Sequence, residues 1–159
     1  MRIYRLVARI VLIAVAACGL TACGSPPPPK PAVLELMMTG SADLNPNDAG
    51  TSQPVAVYLY QLAATQKFAN ADVFALIEHE QKTLGADDLG STTVILKPSD
   101  RQDVKQDLKA GTTAIGVVVG FHAIDQAKWR AFAPVETSGT SKLVLEVQKL
   151  SVSLKPATK

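Results

Sequence analysis

At 159 residues the chain has room for one folded domain, and its apparent basicity belongs to its first stretch alone. Three of its 16 basic residues (Arg2, Arg5 and Arg9) fall within the first 22 positions, which hold no acid, so without them 13 bases face 14 acids and the formal charge moves from +2 to −1. A near-neutral remainder with no basic stripe excludes long-range attraction to nucleic acid. Both cysteines, Cys18 and Cys23, also lie in or at the edge of that stretch, so the rest has no disulfide pair and no thiol nucleophile.

The leader reads as an export signal. Positive charge on residues 1–9 is followed by an apolar run from Ile10 to Leu20. That run suits a signal-peptide core and falls short of the ~20 residues of a spanning helix. Leu20-Thr21-Ala22-Cys23 then gives an aliphatic residue, two small residues and Cys, the lipobox pattern. The small residues let the chain fit extended into a signal peptidase, and the Cys23 thiol is the atom that would take a diacylglycerol. Val15-Ala16-Ala17-Cys18 fits the same pattern. Cleavage there would leave a core of only about eight residues and an apolar stub before the linker, so Cys23 is the assigned lipidation site. Several acyl chains on one residue anchor firmly, at ~0.8 kcal/mol per buried methylene. No Asp follows Cys23, so the inner-membrane retention signal is missing and the outer membrane is the expected destination. Residues 1–22 are thus expected to be a signal peptide, residues 23–31 a lipidated cysteine and tether, and residues 32–159 the folded domain. The tether, GSPPPPKP, favours extended polyproline II at ~3.1 Å per residue, a stiff spacer of roughly 25 Å.

Beyond the tether the pattern is mostly strand. Val33 to Met38 is short and apolar, and Val55 to Tyr60 is rich in β-branched and aromatic residues. One helix is expected next, with Asn70 as cap, Asp72 in its first turn, Val73, Leu76 and Ile77 on one face, and Gly85 at its end. Thr92 to Leu96 is a further strand, closed by Pro98. In Ala114 to Phe121, Val117, Val119 and Phe121 alternate with Val118 and Gly120. Ser138-Gly139-Thr140-Ser141 is a turn before a closing pair, Lys142 to Val147 and Leu150 to Leu154. Five or more short strands separated by turns predict a mainly β fold, a two-sheet sandwich.

Catalytic constellations are wanting. His79, in Glu78-His79-Glu80, begins like HExxH, but Thr83 stands where the second histidine belongs. His122 ends a strand and is expected to point to solvent. Asp87-Asp88, flanked by Gly85 and Gly90, shapes a turn more readily than it holds a cation. Gly111, Gly116 and Gly120 lack the Lys-Ser/Thr of a phosphate loop, and no serine lies in GxSxG. Tyr58, Tyr60 and Trp129 are too thinly spread for a stacking platform. No metal or other cofactor is expected, and the reading is a binding or structural role.

The order of motifs then points to a family. Asn45-Pro46 follows the first strand. After it come Pro54-Val55, the Val57 to Leu62 stretch, Phe68, the Ala71 to Leu76 stretch, Leu84-Gly85-Ala86-Asp87-Asp88-Leu89, Pro98, Ile115-Gly116-Val117-Val118 and Trp129-Arg130. Behind a lipobox, this resembles the type VI secretion lipoprotein family TssJ, also called SciN. It departs at Gly50-Thr51-Ser52-Gln53-Pro54, where the family often carries glycine-arginine-proline. The resemblance implies a transthyretin-like two-sheet β-sandwich with added short helices, on the periplasmic face of the outer membrane. It implies a non-enzymatic protein that binds the periplasmic carboxy-terminal domain of the inner-membrane protein TssM, so that the complex spans the envelope. It also places the partner contact on the loop after the first strand. That loop, residues 41–54, is longer than a hairpin needs and full of turn formers. Its candidate contact residues are Asp43, Leu44, Asn45, Pro46, Asn47 and Asp48. Leu44, the one aliphatic side chain among polar neighbours, either tucks onto the core or anchors the partner. The rival contact is an exposed sheet edge that adds a partner strand. Two other function classes remain: a lipoprotein holding a small ligand in its sandwich, and an envelope hydrolase, which the missing constellations disfavour.

Overall fold

The structure, a computed structural model, describes residues 31–157. The leader, Cys18, Cys23 and all of the tether but Pro31 lie outside the described residues. Eight strands form two four-stranded sheets: β1 (Ala32–Gly40), β2 (Val55–Leu62), β3 (Asp88–Leu96), β4 (Arg101–Asp107), β5 (Ala114–Val119), β6 (Arg130–Pro134), β7 (Gly139–Gln148) and β8 (Ser151–Pro156). One sheet has the order β4-β1-β7-β8 and the other β3-β2-β5-β6. All neighbours are antiparallel except β1 and β7, which run parallel. The expected mainly β two-sheet sandwich is what the chain forms.

Alternation builds the space between the sheets. Leu34, Leu36 and Met38 of β1 face Val57 and Leu59 of β2, with Ile115, Val117 and Val119 of β5 and Leu143, Leu145 and Val147 of β7. The outer face of the second sheet is buried as well. Tyr60, Leu62 and Val118 pack there against Phe68, Val73, Leu76 and Leu84 from three short helices, α1 (Gln66–Asn70), α2 (Val73–Glu78) and α3 (Glu80–Leu84). The alternation from Val117 to Phe121 suggests one wet face. Instead all six residues of β5 are buried, because the helices cover what would be its polar side. Gly116 makes this possible. A Cβ there would stand 2.7 Å from Phe68 Cζ and 2.9 Å from Leu62 Cδ1. The Tyr60 hydroxyl, buried under the helices, donates to the Leu76 carbonyl at 3.0 Å. Burial pushes its ionisation upward.

Three elements correct the sequence reading. The single helix is broken. Asp72, not Asn70, is the cap of α2, with Oδ1 accepting from the Phe74 and Ala75 amides at 2.9 and 3.3 Å. Asn70 instead closes α1 by donating to the Gln66 carbonyl. The chain turns at His79, and the Thr83 hydroxyl folds α3 back onto the Ala75 carbonyl of α2. Gly85 ends α3 at φ +58. Second, β4 and β6 are strands that carry no strand pattern in the sequence: β4 reads RQDVKQD and β6 is five residues long. Both are edge strands, held by backbone pairing with little apolar pattern of their own. Third, Gly139 and the two residues after it, read as turn, already belong to β7.

Gly116→Ala should therefore overpack the β5–helix junction and lower stability by ~1–3 kcal/mol, as read by denaturant unfolding. A variant as stable as the parent would show that Phe68 is free to move aside.

Candidate functional site

The loop between β1 and β2 is hydrogen-bonded nearly from end to end. The Ser41 amide donates to the Val147 carbonyl at 2.9 Å, and the Ser41 carbonyl accepts from the amides of Leu44 and Ser99, each at 3.2 Å. Its hydroxyl donates to Asp43 Oδ1 at 2.7 Å. The chain then dips inward. Leu44 is fully buried at the end of the inter-sheet core, against Gly40 and Leu96, and so closes the sandwich as a plug. Of its two expected roles, the fold takes the core one.

Asn45 is buried beside it, at φ +46, a left-handed conformation that asparagine tolerates better than most residues. Its amide donates to the Lys149 carbonyl at 3.1 Å. Its side chain makes two bonds: Nδ2 donates to the Pro54 carbonyl at 3.0 Å, and Oδ1 accepts from the His122 amide at 2.7 Å. One side chain thus joins both ends of the loop to the segment leaving β5.

Above this base stands a small tip. Pro46 and Ser52 form an antiparallel bridge. The Asn47 amide donates to the Thr51 carbonyl at 2.9 Å, and Asn47 Oδ1 accepts from the Ala49 and Thr51 amides at 3.1 and 2.9 Å. Gly50 supplies the positive φ of the turn, +77. Asp48 projects with its side chain 98% exposed, its Oδ1 3.1 Å from His122 Nε2. His122 is thus exposed, as expected, but it also braces the tip. Of the six candidate contact residues, Asp43 and Asp48 are exposed, Pro46 and Asn47 are half-buried, and Leu44 and Asn45 lie beneath the surface. A side chain packed in the core presents no area to a partner, so Leu44 and Asn45 support the exposed part of the loop from beneath. The part played by His122 left no signal in the sequence, since 77 positions separate it from Asn45.

The loop has a defined place in the molecule. The chain enters β1 at Ala32 and reaches the loop after Gly40. Nine residues at ~3.3 Å each put the tip roughly 30 Å from the point of entry.

The other candidates are accounted for by structure. Asp87 pairs with Lys67 at 3.2 Å, and Asp88 accepts from Gln81 Nε2 and from the Gly90 amide, so both shape the turn into β3. Arg130 stacks over Trp129 at 4.6 Å and donates to the carbonyls of Phe68 and Ala71, tying β6 to the helices. Among the described residues, no three His, Cys, Asp or Glu side chains are grouped to hold a metal ion. Nor is any helix among them long and apolar enough to cross a membrane.

Comparison with known proteins covers most of this sandwich. The model of the family described as type VI secretion lipoprotein, VasD, EvfM, TssJ matches residues 32–150. The crystal structure of the lipoprotein TssJ1 from Pseudomonas aeruginosa is similar at 27% identity and a TM-score of 0.77, covering 83% of this chain and 99% of that one. A chain of the structure described as the type VI secretion protein TssM C-terminal domain from EAEC is similar at 25% identity and a TM-score of 0.67, covering 79% and 98%. A chain of a type VI membrane complex is similar at 26% identity and a TM-score of 0.69, covering 78% and 98%. No curated protein sequence matches the chain. With three quarters of its length inside the match, the chain belongs to the type VI secretion lipoprotein family, TssJ.

Proposed function

We propose that lipid on Cys23 holds this protein on the periplasmic face of the outer membrane, and that the loop between β1 and β2 binds the periplasmic carboxy-terminal domain of TssM. The observation that carries the proposal is the position of the loop. It stands at the end of β1 opposite Ala32, where the tether enters, so a protein hung by its amino terminus presents the loop away from the bilayer. The tip is also held in shape by its own hydrogen bonds, so little ordering entropy opposes binding. Similarity to chains in structures described as a TssM domain and as a type VI membrane complex supports the choice of partner. The lipobox and the absence of Asp after Cys23 support the choice of membrane. The role is mechanical: a lipid anchor at one end, a protein contact at the other, and a rigid sandwich between them, with no catalytic step.

The exposed acids test the contact without disturbing the plug. Asp43→Lys with Asp48→Lys should weaken binding to the TssM domain by at least about tenfold, the loss of one hot spot. Stability should stay within about 0.5 kcal/mol of the parent, as for surface substitutions generally. Calorimetric titration and denaturant unfolding read the two quantities. Unchanged binding moves the contact to a sheet edge. Asn45→Ala has the opposite profile. It strips two hydrogen bonds and leaves a left-handed alanine, so it should cost about 2–4 kcal/mol in unfolding experiments.

The anchor has its own test. Radiolabelled palmitate should enter the parent and fail to enter Cys23→Ser. Label that survives in Cys23→Ser and vanishes in Cys18→Ser would move the modified residue to Cys18.

A further inference from the structure

Among the described residues, the outer edge of β4 has no neighbouring strand. In the β1–β4 ladder, Gly40 donates to the Asp100 carbonyl and Leu108 to that of Ala32. These bonds fix the parity: even-numbered residues of β4 turn their backbone groups toward β1. Arg101, Asp103, Lys105 and Asp107 therefore turn theirs toward the open edge, and their side chains stand exposed on the outer face of the sheet.

An antiparallel twofold axis through Val104 sets Arg101 opposite Asp107 of the second copy and Asp103 opposite its Lys105. Gln102 then meets Gln106, and Val104 meets itself. Every charge finds its opposite, and the facing pairs are the ones whose backbone groups point outward. Moving the axis one residue toward Asp103 sets that aspartate against itself and Arg101 against Lys105. Moving it one residue toward Lys105 sets that lysine against itself and Asp103 against Asp107. Both alternatives oppose like charges, which destabilises a cross-strand pair. Axes through Gln102 or Gln106 leave part of the row unmatched, so this register alone sets all four outward-facing charges against opposites, and hydrogen-bond parity permits it.

The charges are available for this. Among the described residues, Arg101, Asp103 and Asp107 form no ion pair, while Lys105 reaches Glu35 at 3.0 Å across the same face. The backbone at the two ends is partly engaged, since the Arg101 amide donates to Asp100 Oδ1 and the Asp107 carbonyl accepts from Gln61 Nε2 at 3.5 Å. The central pair carries no such bond and gives two backbone hydrogen bonds on each side of the axis. The other edges are less open. Those of β6 and β8 approach each other through the Lys128–Ser151 bridge, and on β3 the Ile95 carbonyl accepts from Gln102.

We propose that the outer edge of β4 is a self-association surface, joining two copies through an antiparallel β4–β4 pair about Val104 into one eight-stranded sheet. Confinement on a membrane raises the encounter rate of such a weak, polar contact. The two Ala32 ends fall at opposite ends of the paired strands, so the pair is an arrangement of unengaged copies, distinct from the single copy whose loop is turned away from the bilayer.

The test uses the full chain in its membrane, with two differently tagged copies. One carries Asp103→Cys and the other Lys105→Cys. In the proposed register the two Cα atoms stand about 5.5 Å apart, within disulfide reach. Asp103→Cys in both copies sets the thiols diagonally, about 7–8 Å apart and beyond it. Mild oxidation should give the mixed disulfide dimer and little of the same-position dimer, with the parent chain as blank for Cys18 and Cys23. No mixed dimer, or equal yields from both combinations, overturns the proposal. Asp103→Lys removes no ion pair of the single copy and faces Lys105 of the second. In detergent extracts it should halve the molar mass that light scattering gives for the parent. A parent already at single mass, or a variant still at double mass, overturns it equally.

Discussion

Burial of β5 on both faces is the constraint on which the rest of the structure depends. A strand in a two-sheet sandwich ordinarily shows one face to water, and the residues from Ala114 to Val119 offer nothing polar to show. The chain meets this by inserting three short helices between β2 and β3 and folding them over the second sheet. Their contact with the strand hangs on one missing side chain, since Phe68 occupies the space beside Gly116. The Tyr60–Leu76 bond and the Arg130 bonds to Phe68 and Ala71 then fasten the helices at two further points. These short helices could not stand alone in water; they are stable because the sheet needs them as a lid.

The loop end follows the same economy of parts. A long polar loop would ordinarily be mobile and costly to order on binding. Here Leu44 is drawn into the core and Asn45 is bound on three sides, so the base of the loop belongs to the sandwich. Only the bridge from Pro46 to Ser52 and the residues it encloses project from it. The surface on offer is small, acidic and preformed. That division between buried support and exposed tip explains how a loop rich in Asn, Asp, Gly and Ser can act as a firm element.

Legibility in the sequence tracked the source of each element's stability. β1, β2 and β7 are held by their own apolar alternation and β5 by an unbroken apolar run, and both patterns are visible along the chain. β4 and β6 are held by partners: β4 borrows its order from β1 and has only Val104 as an apolar residue. Local capping chemistry pointed to the right helical region and missed the breaks, because the turn at His79 is fixed by a hydroxyl reaching back eight residues. In the loop, Leu44 announced itself as the odd residue while leaving two roles open, and the packing against Gly40 and Leu96 decided between them. The bond from Asn45 to His122 was invisible, since no local pattern encodes a contact between distant segments. The order of family motifs carried more than any single one, because order and spacing together reflect the whole fold.

The central place of β1 has a mechanical consequence. This strand receives the tether at Ala32 and delivers the loop beyond Gly40, and it is paired along its length on both sides, with β4 and with β7. Hydrogen bonds between strands lie across the strand axis. Tension between the amino terminus and whatever grips the loop therefore pulls β1 lengthwise, loading both ladders in shear so that their bonds share the force at once. An edge strand pulled lengthwise would load one ladder only, and a strand pulled from the side would open bond by bond like a zip. A domain threaded this way resists being drawn out along the very line in which an anchor would be pulled.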